Sequence, residues 1–85
     1  MKGKNIRKIA ASKVYILSDG KPIEEYSNHV VETESGRVTA HYPLVSELAM
    51  TEWLGGTIII EGNIAAHYPM VMKVTEVMKI GRAHV

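Results

Sequence analysis

A ten-residue pattern that occurs twice limits what this chain can fold into. Residues 36–45 (GRVTAHYPLV) and 62–71 (GNIAAHYPMV) are identical at six of ten positions. In each copy, a glycine with a polar neighbour follows a run of β-branched residues, as in a tight β-hairpin turn. Each copy then ends at a proline, which lacks the N–H that a strand ladder needs. The repeat therefore predicts two related hairpins.

The return strands of these hairpins alternate in polarity, and a period of two is typical of a strand with one buried face. The alternation predicts that three pairs of equivalent residues face the core: Val38 and Ile64, Ala40 and Ala66, Tyr42 and Tyr68. His41 and His67 would then occupy equivalent positions on the outward face.

The rest of the chain fits a mainly β domain. Eighty-five residues correspond to one domain, and Ile, Val and Tyr supply most of its large apolar side chains. We therefore predict an antiparallel β-meander of tandem hairpin repeats, with five to seven short strands. One short helix fits residues 46–54, with Ser46 as N-cap and Gly55 as C-cap, although a loop or a strand fits nearly as well. Residues 70–78 fit either a helix or a strand.

The last six residues, 80–85 (IGRAHV), are similar to the translation of a common sequencing-library adapter. Segments of this kind are left out of fold reasoning. The resemblance implies a C-terminally truncated domain in residues 1–79, and a natural chain that continues past about residue 79. We assign no role to residues 80–85.

Recognisable catalytic and metal-binding motifs are absent from the sequence. The lack of cysteine excludes disulfides and thiolate metal sites, and neither a phosphate-binding loop nor a nucleophile elbow occurs. We therefore predict no catalytic residue, no metal site and no cofactor. The binding candidates are surface or interface residues: His29, His41, His67 and Trp53. The size of the single tryptophan favours a place in the core, and its alternative role is to anchor a partner.

Charge is distributed unevenly along the chain. Residues 1–18 carry five basic side chains and no acidic one, whereas residues 19–61 carry eight acidic and two basic ones. A basic arm of this kind is typical of nucleic-acid binding, and its members are Lys2, Lys4, Arg7, Lys8 and Lys13. The net charge of only +1 favours the other interpretation, in which the basic end complements the acidic middle.

The leading functional hypothesis is a non-enzymatic β-repeat module for binding or assembly. Its partner would be a second copy or another protein that pairs along a sheet edge. The alternatives are a small nucleic-acid-binding β domain that uses the basic arm, and the N-terminal fragment of a longer enzyme. No stretch reaches the roughly 20 apolar residues of a membrane helix, so we expect a cytoplasmic protein without membrane association.

Overall fold

The computed structural model describes residues 5–46 and 50–81 and contains six strands and one helix. The elements are β1 (Ile6–Leu17), β2 (Glu24–Glu34), β3 (Arg37–Pro43), β4 (Thr51–Trp53), β5 (Thr57–Glu61), β6 (Ile64–Tyr68) and α1 (Val74–Gly81). The prediction of a mainly β chain with one short helix is confirmed.

β1 is the central strand of the sheet. β2 pairs antiparallel with it along one edge, from Ile6 to Ile16. β4 and β5 both pair with β1 in the parallel direction. Because β2 already occupies one edge of β1, β4 and β5 must lie end to end along the other. The sheet is therefore mixed, and the predicted meander holds only within β1–β2–β3 and within β5–β6.

The two predicted hairpins form, but the structure does not confirm a tandem hairpin repeat. β2 and β3 are joined at Ser35-Gly36, and β5 and β6 at Gly62-Asn63, with positive φ at Ser35 and at both glycines. The hairpins meet only at their tips, where Arg37 pairs with Ile64. Together with the hydrogen bond from the N–H of Val38 to the carbonyl oxygen of Asn63, this pairing closes β1, β2, β3, β6 and β5 into a small five-stranded barrel.

The sheet separates two hydrophobic cores. The first fills the barrel and contains Ile9, Ala11, Val14, Val31, Ile58 and Ile60, with Val38 and Ala65 packed against it. The second lies outside the barrel, between α1 and the strands β1 and β5, and contains Tyr15, Leu17, Ile59, Met72 and Val77. α1 therefore covers one outer face of the barrel.

β1 changes face halfway along its length. Ala11 and Val14 share the inner core although three positions separate them, so strict alternation fails between them. Ser12 lies in this gap, opposite Asn28, which has a positive φ of 48°. The register of β1 with β2 is the same on both sides of this gap, so the change of face coincides with the positive φ of Asn28 and not with an inserted residue.

The predicted core face of the return strands is only partly correct. Thr33 of β2 pairs with Val38 of β3, and the neighbouring Glu32 pairs with Ala40. Thr39 is therefore an extra residue in β3. Val38 therefore points into the barrel, whereas Ala40 and Tyr42 lie on its outer face. In β6, Ile64 and Ala66 are exposed and Ala65 packs inward. Tyr68 shares the outer face of β6 with Ile64 and Ala66, and it packs against the second core.

The helix of the structure lies at the C-terminal end of the described chain, and not near residues 46–54. Met50 lies in a turn and Thr51–Trp53 forms β4, while residues 47–49 are outside the described residues. In α1, the Glu76 carboxylate accepts the N–H of Lys73, and Val77 is fully buried. Within the described ranges, no helix has the length and apolarity needed to cross a membrane. Residues 82–85 of the adapter-like tail lie outside the described residues.

Candidate functional site

The connection between β4 and β5 creates a free strand edge. Leu54-Gly55-Gly56 separates the two strands, and both glycines have positive φ, 68° and 61°. A Cβ atom on Gly56 would lie 2.2 Å from the carbonyl oxygen of Tyr68, so only glycine fits there. β6 ends at Tyr68, opposite Thr57. In the described part of the chain, β4 consequently has β1 on one side and no strand on the other.

The unpaired side of Thr51–Trp53, here named the β4 edge, offers backbone groups for pairing. The N–H of Leu54 donates to the carbonyl oxygen of Ala10 at 2.8 Å. The backbone N–H and C=O groups of successive residues in a strand point to opposite sides. Glu52 is two residues before Leu54, so its backbone groups also point toward β1. The N–H and C=O groups of Thr51 and Trp53 therefore point away from β1. The Thr51 hydroxyl is buried, and no hydrogen-bond partner exists for it among the described residues.

Trp53 is exposed beside this edge. Its side chain is 55% exposed, and the expectation from size that it closes the core is wrong. It pairs with Ala10, on the outer face of the barrel. Pairing across the sheet continues that row to Val30 and Tyr42. β4 is short and has a neighbouring strand on one side only, and the described residues leave Trp53 about half exposed.

An ion pair joins β4 to the barrel rim. Arg7 Nη2 donates to Glu52 Oε1 at 2.7 Å, and both side chains are exposed. Beside them is a cavity of about 190 Å³ at the end of the barrel, with Ile9 and Ile58 among its apolar lining and Arg7 and His67 among its polar lining. His67 Nε2 lies 3.0 Å from the carbonyl oxygen of Gly55, to which it donates as the N–H tautomer. This hydrogen bond therefore connects His67 of β6 to the loop between β4 and β5.

His29 and His41 lie together elsewhere in the barrel wall. His29 is only 2% exposed, so the expectation of a surface residue is wrong for it. Its Nε2 atom is 2.9 Å from Nδ1 of His41, which is exposed. The ring of Tyr26 stacks on His29, with 4.3 Å between centroids. Burial, and secondarily His41, lowers the pKa of His29, which favours its neutral form.

The basic arm is partly neutralised within the chain. Arg7 pairs with Glu52. Lys13 Nζ lies 2.8 Å from Glu25 Oε2, and this hydrogen bond raises the pKa of Lys13. Lys8 is half-buried, and Lys2 and Lys4 lie outside the described residues. The charge complementarity expected from the sequence therefore accounts for Arg7 and Lys13.

Sequence reasoning singled out Trp53 and kept a strand as an alternative to the helix for residues 46–54, but it did not identify which strand β4 pairs with. Three residues, Thr-Glu-Trp, are too few to show a strand period, and the parallel partner of β4 is β1, more than forty residues earlier. In the described ranges, no group of three or more His, Cys, Asp or Glu side chains is placed to hold a metal ion. No protein-family model, curated protein or solved structure matches the chain, so its function has to be argued from this geometry.

Proposed function

We propose that this chain is a non-enzymatic binding module that pairs with an extended segment of a partner protein along the β4 edge, with Trp53 as the anchor. The observation that carries the proposal is the half-exposed indole beside unpaired backbone groups. Strand addition of this type takes affinity from main-chain hydrogen bonds and specificity from side chains.

The β4 edge is a better docking site than the other exposed strand segments. β3 is interrupted by the extra residue Thr39 and ends at Pro43, and β6 is followed by Pro69. Bulges and prolines are the devices by which proteins prevent unwanted pairing at sheet edges. Thr51–Trp53 carries neither, and within it the buried Thr51 hydroxyl lacks a partner among the described residues.

The indole has to supply most of the binding free energy. Three edge residues give only a few exchanged hydrogen bonds, each with a net value of about 0.5–1.5 kcal/mol. Tryptophan is among the residues that dominate interfaces, where truncation to alanine costs about 2 kcal/mol or more. We therefore expect Trp53→Ala to weaken binding by at least roughly 30-fold.

Peptides selected from a displayed random library on the wild-type chain provide the test. The expected result is a fluorescence change of Trp53 on binding, slower amide exchange at Thr51 and Trp53, and loss of affinity in Trp53→Ala. Met70→Ala is the matched control, because Met70 is an apolar residue of similar exposure that is not part of β4. Equal peptide binding by Trp53→Ala and wild type would contradict the proposal.

Light scattering after size-exclusion chromatography distinguishes self-association from binding of another protein. A dimer that Trp53→Ala abolishes would make a second copy the partner. A monomer at high concentration would leave a different protein as the partner, and the peptide experiment then decides the proposal.

The nucleic-acid alternative has weaker support, because Arg7 and Lys13 are already paired with carboxylates. Its test is a gel shift at low salt, with and without residues 1–8. A complex that weakens steeply with salt and needs residues 1–8 would restore this alternative.

A further inference from the structure

The cavity at the end of the barrel, here named the mouth cavity, combines an apolar floor with a cationic rim. Ile9, Leu54 and Ile58 supply apolar lining, and Ile9 and Ile58 belong to the inner core. The volume of the mouth cavity is about 190 Å³. An apolar cavity of about 150 Å³ can hold a benzene ring. The mouth cavity therefore has room for a small ring or branched chain that carries one polar group.

The alternation of β1 places Arg7 at the rim. Successive side chains of a strand point to opposite faces, and Ile9, two residues further along, packs in the inner core. Arg7 therefore leaves β1 on the same face and lines the mouth cavity. Thr33, directly opposite on β2, lines it as well. Cross-strand partners have Cβ atoms about 4.5–5.5 Å apart, so a guanidinium and a hydroxyl start side by side at the rim.

The ion pair with Glu52 leaves most of the guanidinium available. Nη2 of Arg7 contacts a single oxygen of Glu52, at 2.7 Å. A guanidinium carries five N–H donors, so this contact uses one of them. The Arg7 side chain is 52% exposed, and a ligand can therefore approach it from solvent. The planar fork of a guanidinium matches a carboxylate, which it binds through two parallel hydrogen bonds.

A hydrogen bond holds another part of the wall in place. His67 of β6 and Leu54 both line the mouth cavity. A carbonyl oxygen can only accept, so Nε2 of His67 donates to the carbonyl of Gly55. Because Gly55 directly follows Leu54, this bond keeps that part of the loop against β6. Small-molecule sites are usually pre-formed in this way, and the mouths of β-barrels are among their common places.

We propose that the mouth cavity binds a small carboxylate with an apolar body of about five to seven carbon atoms. The carboxylate accepts hydrogen bonds from Arg7 and Thr33, and the apolar body lies against Ile9 and Ile58. Phosphate and other inorganic anions have no apolar part for the floor, so they fit less well. The ligand is a small molecule and its binding is measured without a peptide. This site and the proposed strand addition can therefore fail independently.

Nuclear magnetic resonance titration of the full chain with benzoate and with 4-methylpentanoate tests the proposal. We expect saturable shifts of the amide signals of Ile9, Leu54 and Ile58. Benzamide has the shape of benzoate without its charge and should bind at least about tenfold more weakly, since hydrogen bonds to a charged group are lost. Acetate lacks the apolar body and should also bind at least about tenfold more weakly.

Arg7→Gln should weaken benzoate binding by at least about tenfold, the lower limit for loss of a charged hydrogen bond. Lys21→Gln is the matched control, because it removes the same charge from an exposed side chain that does not line the mouth cavity. Its affinity should stay within about twofold of wild type. Ala65→Leu fills the cavity without any change of charge and should weaken binding by at least about fivefold.

Glu52→Gln is expected to increase affinity, which a general loss of structure would not do. The amide oxygen still accepts the Nη2 hydrogen of Arg7, so the guanidinium keeps its position while the negative charge beside the ligand disappears. For carboxylates about 5 Å apart, we expect binding that is roughly twofold to fivefold tighter.

The proposal is overturned if neither carboxylate gives saturable shifts with the wild type. Benzoate affinity within twofold of wild type in a folded Arg7→Gln or Ala65→Leu variant would also overturn it. Weaker binding by a folded Glu52→Gln variant, or equal affinity for benzoate and benzamide, would contradict the assignment of the carboxylate to Arg7.

Discussion

Replacing Tyr15 by phenylalanine removes one hydroxyl from the interface between the barrel and the chain that leads into α1. Tyr15 is fully buried, and its hydroxyl donates to the carbonyl oxygen of Met72 at 2.6 Å. The Thr57 hydroxyl holds the same segment: it donates to the carbonyl oxygen of Met70 and accepts the N–H of Met72, both at 2.8 Å. Two side-chain hydroxyls therefore fasten residues 70–72 to the outside of β1 and β5.

The expected cost of Tyr15→Phe follows from what remains after the change. The ring stays buried, so little apolar area is lost, but the carbonyl oxygen of Met72 loses its partner. An unsatisfied buried group costs about 1–3 kcal/mol. In a domain of this size each kcal/mol lowers the unfolding temperature by roughly 4–8 °C. Circular dichroism during thermal and urea unfolding measures both quantities, and α1 should lose its signal no later than the barrel.

Tyr26→Phe is the matched control. The Tyr26 hydroxyl donates to exposed Glu24, where water can replace it. The unfolding temperature of Tyr26→Phe should therefore stay near that of the wild type. If Tyr15→Phe unfolds no earlier than Tyr26→Phe, the reasoning about the buried hydroxyl is wrong.

Alkaline unfolding gives a second measurement on the same residue. Burial raises the pKa of Tyr15 above its ordinary 10.0, with Glu25 contributing in the same direction. The folded state thus holds this proton more tightly than the unfolded state, and the associated stability is complete below pH 10. It is lost as pH rises through the raised pKa, so the decline above pH 10 should be shallower in Tyr15→Phe than in wild type.

Two further predictions concern backbone geometry and acid stability. Gly56→Ala should lower the free energy of unfolding by more than about 3 kcal/mol, because its Cβ would meet the Tyr68 carbonyl. Gly20 has a φ of 72° but open space around it, so Gly20→Ala should cost only about 1–2 kcal/mol. Chemical denaturation measures both values, and equal costs would contradict the close approach at Gly56. Burial, and then His41, lowers the pKa of His29 below 6.5. The contribution of neutral His29 to folding stability is therefore complete above pH 6.5 and is lost as the pH falls through the lowered pKa. A nuclear magnetic resonance titration of His29 with a midpoint at or above 6.5 would refute this.

Local turn chemistry was the part of the fold that the sequence predicted best. Ser35-Gly36 and Gly62-Asn63 combine polar residues and glycine between β-branched runs, and both are hairpin turns in the structure. Turn type depends on neighbouring residues, so it is visible in the sequence. The strands around these turns were predicted for the same reason.

Side-chain direction was harder to predict, because one inserted residue reverses it. Thr39 places Val38 inside the barrel and Tyr42 outside, although strict alternation puts them on one face. His29 and His41 meet for the same reason. The parallel pairing of β4 and β5 with β1 depends on contacts across more than forty residues, which local patterns do not report. The candidate edge at Trp53 was out of reach for that reason.

The order of the strands has a consequence for the speed and sequence of folding. β1 can pair with β2 as soon as the turn at Asp19-Gly20 closes, but its other edge is filled by residues 51–61. Contacts at such separation slow folding, because chain entropy is lost before they form. During synthesis, β1 can pair with β2 first, and its other edge has no strand to pair with until β4 and β5 emerge from the ribosome. A newly made chain is therefore most vulnerable to misassociation in the interval when residues 6–43 have left the ribosome and residues 51–61 have not.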